Sequence, residues 1–247
     1  MLEELVGAGC GPAGTHARSP IAPVDRAPDE EVVPGVAWGR SGWVGSPAYW
    51  AMLAATEDPR DDYVRRDGCP LHHEVAFCLL GGFGIRMEVN EAAYAACLGR
   101  GILDPGRRPS AGEIEDALSM PLDVGGRPVR YRFPRQRSRR LSDALRAIED
   151  SPPPTATARG FRAALLAIPG IGPKTASWIA RNWLGADDVA ILDVHVLRAG
   201  VAMNLFPAGS RLPGDYPALE DRFLAFAAAI GVRPSLLDAV IWREMRR

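Results

Sequence analysis

The stretch that decides the fold is FRAALLAIPGIGPKTASWIARNWLGADDVAILDVHVLRAG, residues 161–200. Apolar residues at helical spacing flank the turn Pro169-Gly170-Ile171-Gly172, and a proline follows at position 173, so residues 161–184 are predicted to form two helices joined by a tight turn. The glycines allow the backbone to approach a ligand closely, and the N–H groups at a helix start favour a phosphate. The hairpin therefore predicts a sequence-independent grip on a nucleic-acid backbone.

The second helix of this hairpin has two distinct faces. An apolar stripe at spacing i, i+3, i+4 and i+7 is predicted to face the core and comprises Ala176, Ile179, Ala180 and Trp183. The same spacing, displaced by two residues, gives roughly the opposite face, which comprises Lys174, Ser177, Trp178 and Arg181. That face presents an amine in the first turn of the helix and an aromatic ring one turn later.

Lys174 is the only lysine among the 29 lysines and arginines of the chain. Arginine can replace lysine as a surface cation, as a GC-rich genome encourages, but its guanidinium stays protonated and cannot act as a nucleophile. In the first turn of a helix the macrodipole disfavours a cation by about 0.3–1 kcal/mol, and a neutral amine is the form that attacks carbon. Lys174 is therefore predicted to be a nucleophile. The structural alternative is a solvent-exposed lysine beside a phosphate.

Asp193 lies nineteen residues after Lys174, at the end of an apolar run and before another helical stretch. Its structural interpretation is a helix N-cap, where Asp is favoured. The two roles are compatible, because a carboxylate fixed by a cap is rigidly aimed. Asp193 is therefore predicted to stabilise positive charge that develops at a deoxyribose C1′ and to help the amine lose its proton.

The rest of the chain is also predicted to be helical, so the expected fold class is all-α. Further helices are expected at about 46–57, 71–80, 90–99, 110–118, 138–149, 193–204, 218–230 and 235–246. One short strand could form over 129–133. Residues 1–45 are rich in Gly and Pro and lack sustained periodicity, so they are interpreted as an irregular N-terminal extension before a single domain over 46–247.

Composition bounds the class of protein. A hydrophobic content of 47% and a charged content of 24% match an ordinary globular protein, and no apolar run approaches the roughly 18 residues that a membrane helix needs. The N-terminus has an acidic pair where an export signal would be basic, so a cytoplasmic location in a bacterium is expected, at the nucleoid when the protein acts. No transition metal is expected, because His72 and His73 are adjacent and no C-x-x-C pair occurs among Cys10, Cys69, Cys78 and Cys97.

A local concentration of positive charge lies in RPVRYRFPRQRSRR, residues 127–140, where seven of the fourteen residues are arginine and none is acidic. We call this segment the arginine strip. The chain as a whole has a net charge of −1, so this excess of positive charge is a local feature of the strip. Because two aromatic residues are interleaved with the arginines, the strip is predicted to contact phosphates, and a solvated loop is the structural alternative.

These features together resemble a known family. PGIGPK, followed by the Asp of LDVHV, resembles the helix-hairpin-helix-GPD DNA glycosylases, and among them the 8-oxoguanine DNA glycosylases most. KTASWIARN and AILDVH resemble the compact archaeal and bacterial branch, which reads K-x-A-S-x-x-x-R-N before I-L-D-x-H. The match is specific over 161–200, with weaker similarity in YRFPRQR (131–137) and LLDAVIW (236–242). The resemblance implies a helical fold of two subdomains with the active site in the cleft between them.

The resemblance also implies roles for single residues. Lys174 would attack C1′ and form a Schiff base, assisted by Asp193. Contacts to the DNA backbone would come from Gly170, Gly172, His195, Arg135 and Arg137; for His195 a purely structural role is the alternative. Candidates for the pocket of an extruded base are Trp178, Trp242 and Asp238, because chemistry on a duplex base requires flipping it out. Core packing is the alternative for both tryptophans.

Cofactors and partners follow from the same resemblance. No cofactor is expected, except for a structural Na⁺ or K⁺ ion held by the backbone carbonyls of Leu166, Ile168 and Ile171. The expected partner is double-stranded DNA that carries a damaged or modified base. The protein is expected to act as a monomer and not to associate with a membrane.

The chain departs from the family pattern near the base. Compact members have Asn where this chain has Arg135, and Trp178 is bulkier than the residue expected there. The chain also lacks the N-terminal β domain and the four-cysteine cluster of other branches. Three hypotheses remain: a glycosylase that excises 8-oxoguanine and cleaves the resulting abasic site; a glycosylase that removes a hypermodified base from bacteriophage DNA as a defence; and a non-catalytic DNA-binding module. The spacing of Lys174 and Asp193 argues against the third.

Overall fold

The computed structural model describes residues 26–56, 68–82 and 84–246. The helices in these ranges are α1 (Pro47–Thr56), α2 (Leu71–Leu80), α3 (Met87–Gly99), α4 (Ala111–Ser119), α5 (Pro134–Asp150), α6 (Ala158–Leu166), α7 (Pro173–Leu184), α8 (Val194–Ala202), α9 (Tyr216–Ala229) and α10 (Pro234–Met245). Two antiparallel pairs of short strands are β1 (Glu31–Val33) with β2 (Val36–Ala37), and β3 (Leu122–Val124) with β4 (Arg127–Val129). The predicted all-α class is confirmed. Cys10 and residues 1–25 of the predicted extension lie outside the described residues.

The chain divides into two compact units. The first unit combines the segment before residue 69 with the segment from residue 185 onward, and it contains β1, β2, α1, α8, α9 and α10. These elements share one apolar core, whose largest fully buried side chains are Trp50, Tyr216, Phe206, Phe223 and Phe226. Complete burial of one such phenylalanine contributes about 1.5–3 kcal/mol. The segment that leads into α8 is held against this core.

The second unit is the continuous segment Cys69–Leu184. In it α2 packs against α3, α5 and α7, and α6 packs against α7. Phe77 of α2 and Phe161 of α6 are fully buried, and the ring of Phe161 stacks on Trp183 of α7 with 5.4 Å between centroids. The hairpin helix α7 is therefore covered from two sides.

The structure differs from the sequence-based expectations in three segments. Residues 26–45, predicted to be irregular, contain the β1–β2 hairpin, and Val36 and Trp38 from this segment are buried in the core of the first unit. The strand predicted over 129–133 is wrong beyond Val129, because β4 ends there and pairs with β3 across a turn made by Gly125 and Gly126. Strands of two or three residues are too short to show an alternating pattern.

Helix α5 begins at Pro134 rather than near 138. Proline suits the first position of a helix, but the arginine-rich first turn has no apolar periodicity that could reveal the start. Half of the arginine strip therefore lies on a helix.

The described cysteines and adjacent histidines are structural in character. Cys69, Cys78 and Cys97 form no disulfide with one another, and burial raises the pKa of the Cys97 thiol to about 12. His72 Nε2 lies 3.1 Å from the carbonyl of Leu103, and His73 Nδ1 lies 2.8 Å from the hydroxyl of Tyr94. Within 26–56, 68–82 and 84–246, no group of three or more His, Cys, Asp or Glu residues could hold a metal ion.

In the described part of the chain no single helix is long and apolar enough to cross a membrane. Helices α9 and α10 reach that length and composition only as a pair, bent by 102° at the break between them.

Candidate active site

The predicted hairpin is present and is made by α6, a turn over 167–172, and α7. Within the turn, the N–H of Ile171 donates to the carbonyl of Ile168 at 3.1 Å. Gly170 has φ +92°, which is in the left-handed region that favours glycine. A Cβ at Gly170 would also lie 2.7 Å from Cγ of Arg140, so the stem of the last arginine of the strip packs directly against the turn. The hairpin and the arginine strip are therefore neighbours within the second unit.

The turn and the start of α7 leave several backbone donors unused. The N–H groups of Gly170, Gly172, Lys174 and Thr175 donate no hydrogen bond to any described residue, whereas that of Ala176 donates to the carbonyl of Gly172 at 2.9 Å. A helix always begins with such unpaired donors, and the helix dipole adds positive potential at the same place. Around Gly172 a Cβ would meet nothing within 4 Å, so the approach to these donors is open. The arrangement fits a phosphate.

Lys174 lies in the first turn of α7 and is half-buried. Its Nζ is 5.8 Å from the centroid of the Trp178 ring. This distance is within the range of a cation–π contact, so the ring and the amine are adjacent. The predicted pairing of an amine with an aromatic ring one turn later is thus present in the structure.

The face of α7 that carries Lys174 is more buried than the sequence predicts. Ser177, Trp178 and Arg181 are all buried, and Trp178 is only 7% exposed. Its ring meets Phe77 edge-on at 6.3 Å, and its indole N–H, which is also buried, has no hydrogen-bond partner among the described residues. Asn182, which follows Arg181 on α7, donates from its side-chain amide to Oε1 of the buried Glu74 at 3.0 Å. In this structure Trp178 packs as a core residue and offers little open surface on which a base could stack.

Asp193 is the N-cap of α8, as its structural interpretation predicts. Its Oδ1 accepts hydrogen bonds from the N–H groups of His195 at 2.8 Å and Val196 at 3.0 Å. Oδ2 accepts no hydrogen bond from the described residues, and it is not fully enclosed, since the residue is 9% exposed. One oxygen of the carboxylate is therefore fixed by the helix while the other is available.

The segment before Asp193 is held by side chains of α9 and α10. The N–H of Ala190 donates to Oε1 of Glu220, and the N–H of Ile191 donates to Oδ2 of Asp238. Asp238 is 2% exposed, so its carboxylate acts inside the fold rather than on the open wall of a base pocket. Sequence reasoning missed Glu220. The available signal was a glutamate in the apolar stripe of α9, one position after Leu219 and three before Phe223.

His195 lies near the N-terminus of α8, and Trp242 lies near the C-terminus of α10. His195 Nδ1 is 3.2 Å from the carbonyl of Met245, so Nδ1 carries a proton and Nε2 remains without a described partner. Trp242 is half-buried, and the guanidinium of Arg246 lies 4.1 Å from its ring centroid, which covers one face of the ring. His195 therefore keeps one ring nitrogen for a contact.

The seven arginines of the strip are exposed or half-buried. None of their guanidinium groups forms an ion pair or hydrogen bond with a described residue. Arg132 lies over the ring of Phe133 at 5.0 Å. Arg135 is exposed, whereas burial lowers the pKa of the Arg137 guanidinium and leaves its Nε enclosed without a partner among the described residues. Unneutralised positive charge of this kind attracts a polyanion.

The three predicted cation ligands are Leu166, the last residue of α6, and Ile168 and Ile171 in the turn that follows. The carbonyl oxygens of Leu166 and Ile171 accept no hydrogen bond from a described residue, and that of Ile168 accepts one. Carbonyl oxygens are hard ligands that suit a monovalent cation, and two of these three have both lone pairs free.

Comparison with known proteins gives a consistent result. A family model described as 8-oxoguanine DNA glycosylase matches residues 114–232, which include Lys174 and Asp193. The structure is similar to that of the 8-oxoguanine DNA glycosylase of Thermotoga maritima, with 27% identity, a TM-score of 0.55, and coverage of 70% of this chain and 78% of that chain. It is also similar to that of the Methanocaldococcus jannaschii 8-oxoguanine DNA glycosylase, with 26% identity, a TM-score of 0.53, and coverage of 70% and 77%.

A further similar structure is that of the M. jannaschii 8-oxoguanine glycosylase/lyase in complex with DNA that contains 8-oxoguanine. It shares 27% identity and a TM-score of 0.56 with this chain, and the match covers 70% of this chain and 79% of that chain.

Proposed function

The chain belongs to the helix-hairpin-helix superfamily of DNA glycosylases, and we propose that it excises 8-oxoguanine from double-stranded DNA, with Lys174 as nucleophile and Asp193 as the assisting carboxylate. The observation that carries this proposal is the position of the only lysine of the chain. It lies in the first turn of α7, beside a turn whose backbone donors are unpaired and fit a phosphate. A relative of similar structure is described as a glycosylase/lyase and was solved with DNA containing this base.

In the proposed reaction the neutral amine of Lys174 attacks C1′ of the damaged nucleotide. The C1′–N9 bond breaks, and the base leaves with the bonding electron pair and takes up a proton. The amine loses a proton, the sugar ring opens at its C1′–O4′ bond, and a protonated Schiff base joins Nζ to C1′. Loss of the proton at C2′ then eliminates the 3′ phosphate, which is the lyase step. The Schiff base and the elimination that follows it need an amine, and Lys174 is the only lysine side chain that can supply it.

Asp193 supports this chemistry through the oxygen that its helix does not use. Oδ1 is occupied by the cap, so the carboxylate cannot rotate freely, and Oδ2 has no described partner. A fixed negative charge near C1′ stabilises the positive charge that develops as the base departs, and its geometry needs no rearrangement during the reaction.

Contacts to the phosphates would come from the hairpin turn and the arginine strip of the second unit. Gly170 and Gly172 offer N–H groups, and the guanidinium groups of Arg135 and Arg137 have no acidic partner among the described residues. His195 would add a contact from the first unit through Nε2. We propose that the protein acts on DNA as a monomer.

A monovalent cation at the carbonyls of Leu166, Ile168 and Ile171 is part of the proposal. Two of these oxygens are unpaired among the described residues, which supports their use as ligands. Such an ion would stiffen the turn and add positive charge beside the phosphate. K⁺ or Na⁺ should therefore strengthen DNA binding more than tetramethylammonium at equal ionic strength, as measured by fluorescence anisotropy; equal affinities would contradict the ion.

The test of the proposed function combines base release with covalent trapping. The protein is incubated with duplexes that contain 8-oxoguanine or an abasic site in the presence of borohydride, which reduces a Schiff base to a stable amine. We expect trapping with the parental protein and none with Lys174→Gln or Lys174→Arg. The arginine variant is the matched control, because it keeps the cation over Trp178 and removes only the nucleophile.

Each outcome has a separate meaning. Parental yields of trapping in both variants would remove Lys174 as nucleophile. If Lys174→Gln loses DNA affinity while Lys174→Arg keeps it, the lysine is a phosphate contact. Base release without trapping would indicate a glycosylase that uses water instead of the amine. A panel of duplexes with other modified bases, including hypermodified bacteriophage bases, then tests the identity of the base, for which Arg135 and Trp178 depart from the family pattern.

A further inference from the structure

The segment Ala190–Leu192 has no helical or strand hydrogen bonds of its own, yet it is almost completely buried. Its three consecutive N–H groups are each accepted by a different side chain. Ala190 donates to Oε1 of Glu220 at 2.9 Å, Ile191 donates to Oδ2 of Asp238 at 3.0 Å, and Leu192 donates to the hydroxyl of Tyr216 at 3.2 Å. The same hydroxyl donates to the carbonyl of Ala190 at 2.6 Å.

We call Tyr216, Glu220 and Asp238 the anchoring trio. Tyr216 and Glu220 lie one turn apart on α9, Asp238 lies on α10, and all three are at most 4% exposed. Burial of a carboxyl group is costly unless it is hydrogen-bonded, and a buried N–H without an acceptor costs about 1–3 kcal/mol. Apolar residues at these positions would leave the buried N–H groups of Ala190–Leu192 without acceptors. The segment would then not keep its position in the fold.

The residue after this segment is Asp193. The trio fixes the backbone that immediately precedes Asp193. The cap bonds from the N–H groups of His195 and Val196 fix its side chain. Displacement of a reacting group by about 1 Å can cost a hundredfold in rate. On the proposed role of Asp193, we infer that Tyr216, Glu220 and Asp238 are positioning residues that hold its free carboxylate oxygen in the geometry for base excision.

Tyr216→Phe is the most specific variant, because it removes only the hydroxyl. That hydroxyl forms two of the four hydrogen bonds between the trio and Ala190–Leu192. Single-turnover excision with saturating enzyme should slow by about tenfold or more, while affinity for a duplex with a tetrahydrofuran abasic analogue should stay at the parental value. Glu220→Gln and Asp238→Asn keep an accepting oxygen and should stay within about threefold of the parental rate, whereas Glu220→Leu should behave like Tyr216→Phe.

A double-mutant cycle separates positioning from general stability. If Tyr216 acts through Asp193, the change Tyr216→Phe should cause no further loss of rate in an Asp193→Asn background. Tyr49→Phe is the matched control in the same unit, because it also removes one tyrosine hydroxyl bond, that to Glu244 at 3.1 Å. This control should leave the excision rate of the parental protein unchanged.

The inference is overturned if Tyr216→Phe excises at the parental rate, or if its loss is equally large in the Asp193→Asn background. Asp193→Asn with parental activity would also overturn it, because there would be nothing to position, although base excision by the parental protein would stand. If the parental protein releases no base, the proposed function fails first. Amide hydrogen exchange at Ala190–Leu192 is the readout independent of activity, and unchanged exchange in Tyr216→Phe would disprove the anchoring itself.

Discussion

A side chain that both caps a helix and takes part in a reaction must divide its atoms between the two tasks. Asp193 does this in the proposed reaction, since Oδ1 accepts the two N–H groups at the start of α8 and Oδ2 accepts none from the described residues. The cap gives the carboxylate a fixed direction. The two tasks can therefore be separated by substitutions that keep one and remove the other.

Asp193→Asn should lose activity without losing stability. Asn and Asp are equivalent as N-caps, so the melting temperature should stay within a few degrees of the parental value. The negative charge is lost, and the excision rate should fall by at least about a hundredfold, which corresponds to roughly 2.7 kcal/mol in the barrier. Calorimetry and single-turnover kinetics measure the two effects.

Asp193→Ala is the companion variant. It removes the cap as well as the charge and should lose about 1 kcal/mol of stability in addition to the activity. Near-parental excision by the Asn variant would mean that Asp193 is only a cap.

At the scale of one element, the hairpin turn contains two glycines with different structural demands. Gly170 needs its positive φ and has no space for a side chain, because Arg140 packs against it. Gly172 does not have φ in the left-handed region, and a Cβ there would meet nothing within 4 Å. The fold therefore explains the first glycine, and the proposed approach of a phosphate to the backbone would explain the second.

Gly172→Ala should fold as well as the parental protein but bind DNA more weakly. Where alanine fits the backbone conformation, Gly→Ala stabilises by about 0.4–1 kcal/mol, so the melting temperature should not fall. In the complex the added methyl group would occupy the path of a phosphate towards the free N–H groups.

Gly170→Ala is the contrasting variant and should lower the melting temperature, because of its positive φ and the contact with Arg140. Thermal melting and the dissociation constant for a duplex distinguish the two. Parental affinity in Gly172→Ala would show that no phosphate approaches the turn there.

The hairpin and the cap could be predicted from sequence because their signals are local. Pro173, the glycines and Asp193 each act on neighbouring residues, so a short stretch of sequence contains the whole argument. The burial of Trp178 could not be predicted, since helical periodicity separates two faces but does not show how many elements cover them; α7 is covered by both α2 and α6. The anchoring role of the trio, in which Asp238 was expected at the base pocket instead, was missed because the residues it holds lie 24 to 47 positions away in sequence, where only the tertiary fold connects them.

On the scale of the whole molecule, DNA binding cannot depend on net charge. The chain has a formal charge of −1, so a polyanion is attracted only where positive charge is local and unneutralised. The arginine strip meets both conditions among the described residues. By contrast, Arg108 in the same unit is paired with Glu149 at 2.9 Å and Asp150 at 2.6 Å.

Replacement of arginines in the strip should flatten the salt dependence of DNA binding. Removal of one phosphate-binding charge, for example in Arg135→Gln or Arg139→Gln, should reduce the slope of log K against log salt by about 0.9. Arg108→Gln is the matched control and should leave the slope unchanged, because its charge is already neutralised. An unchanged slope in the strip variants would identify the strip as a solvated surface.

The second unit is inserted into the first, and this order along the chain has a consequence during synthesis. A ribosome completes Cys69–Leu184, including Lys174 and the hairpin, before it reaches Asp193, and domains tend to fold as they emerge. The trio that holds Asp193 comes later still, on the last two helices. A nascent chain that has not yet reached α9 would thus possess Lys174 and the proposed phosphate-binding turn but would lack the trio that holds Asp193, so the proposed chemistry requires α9 and α10 to be synthesised first.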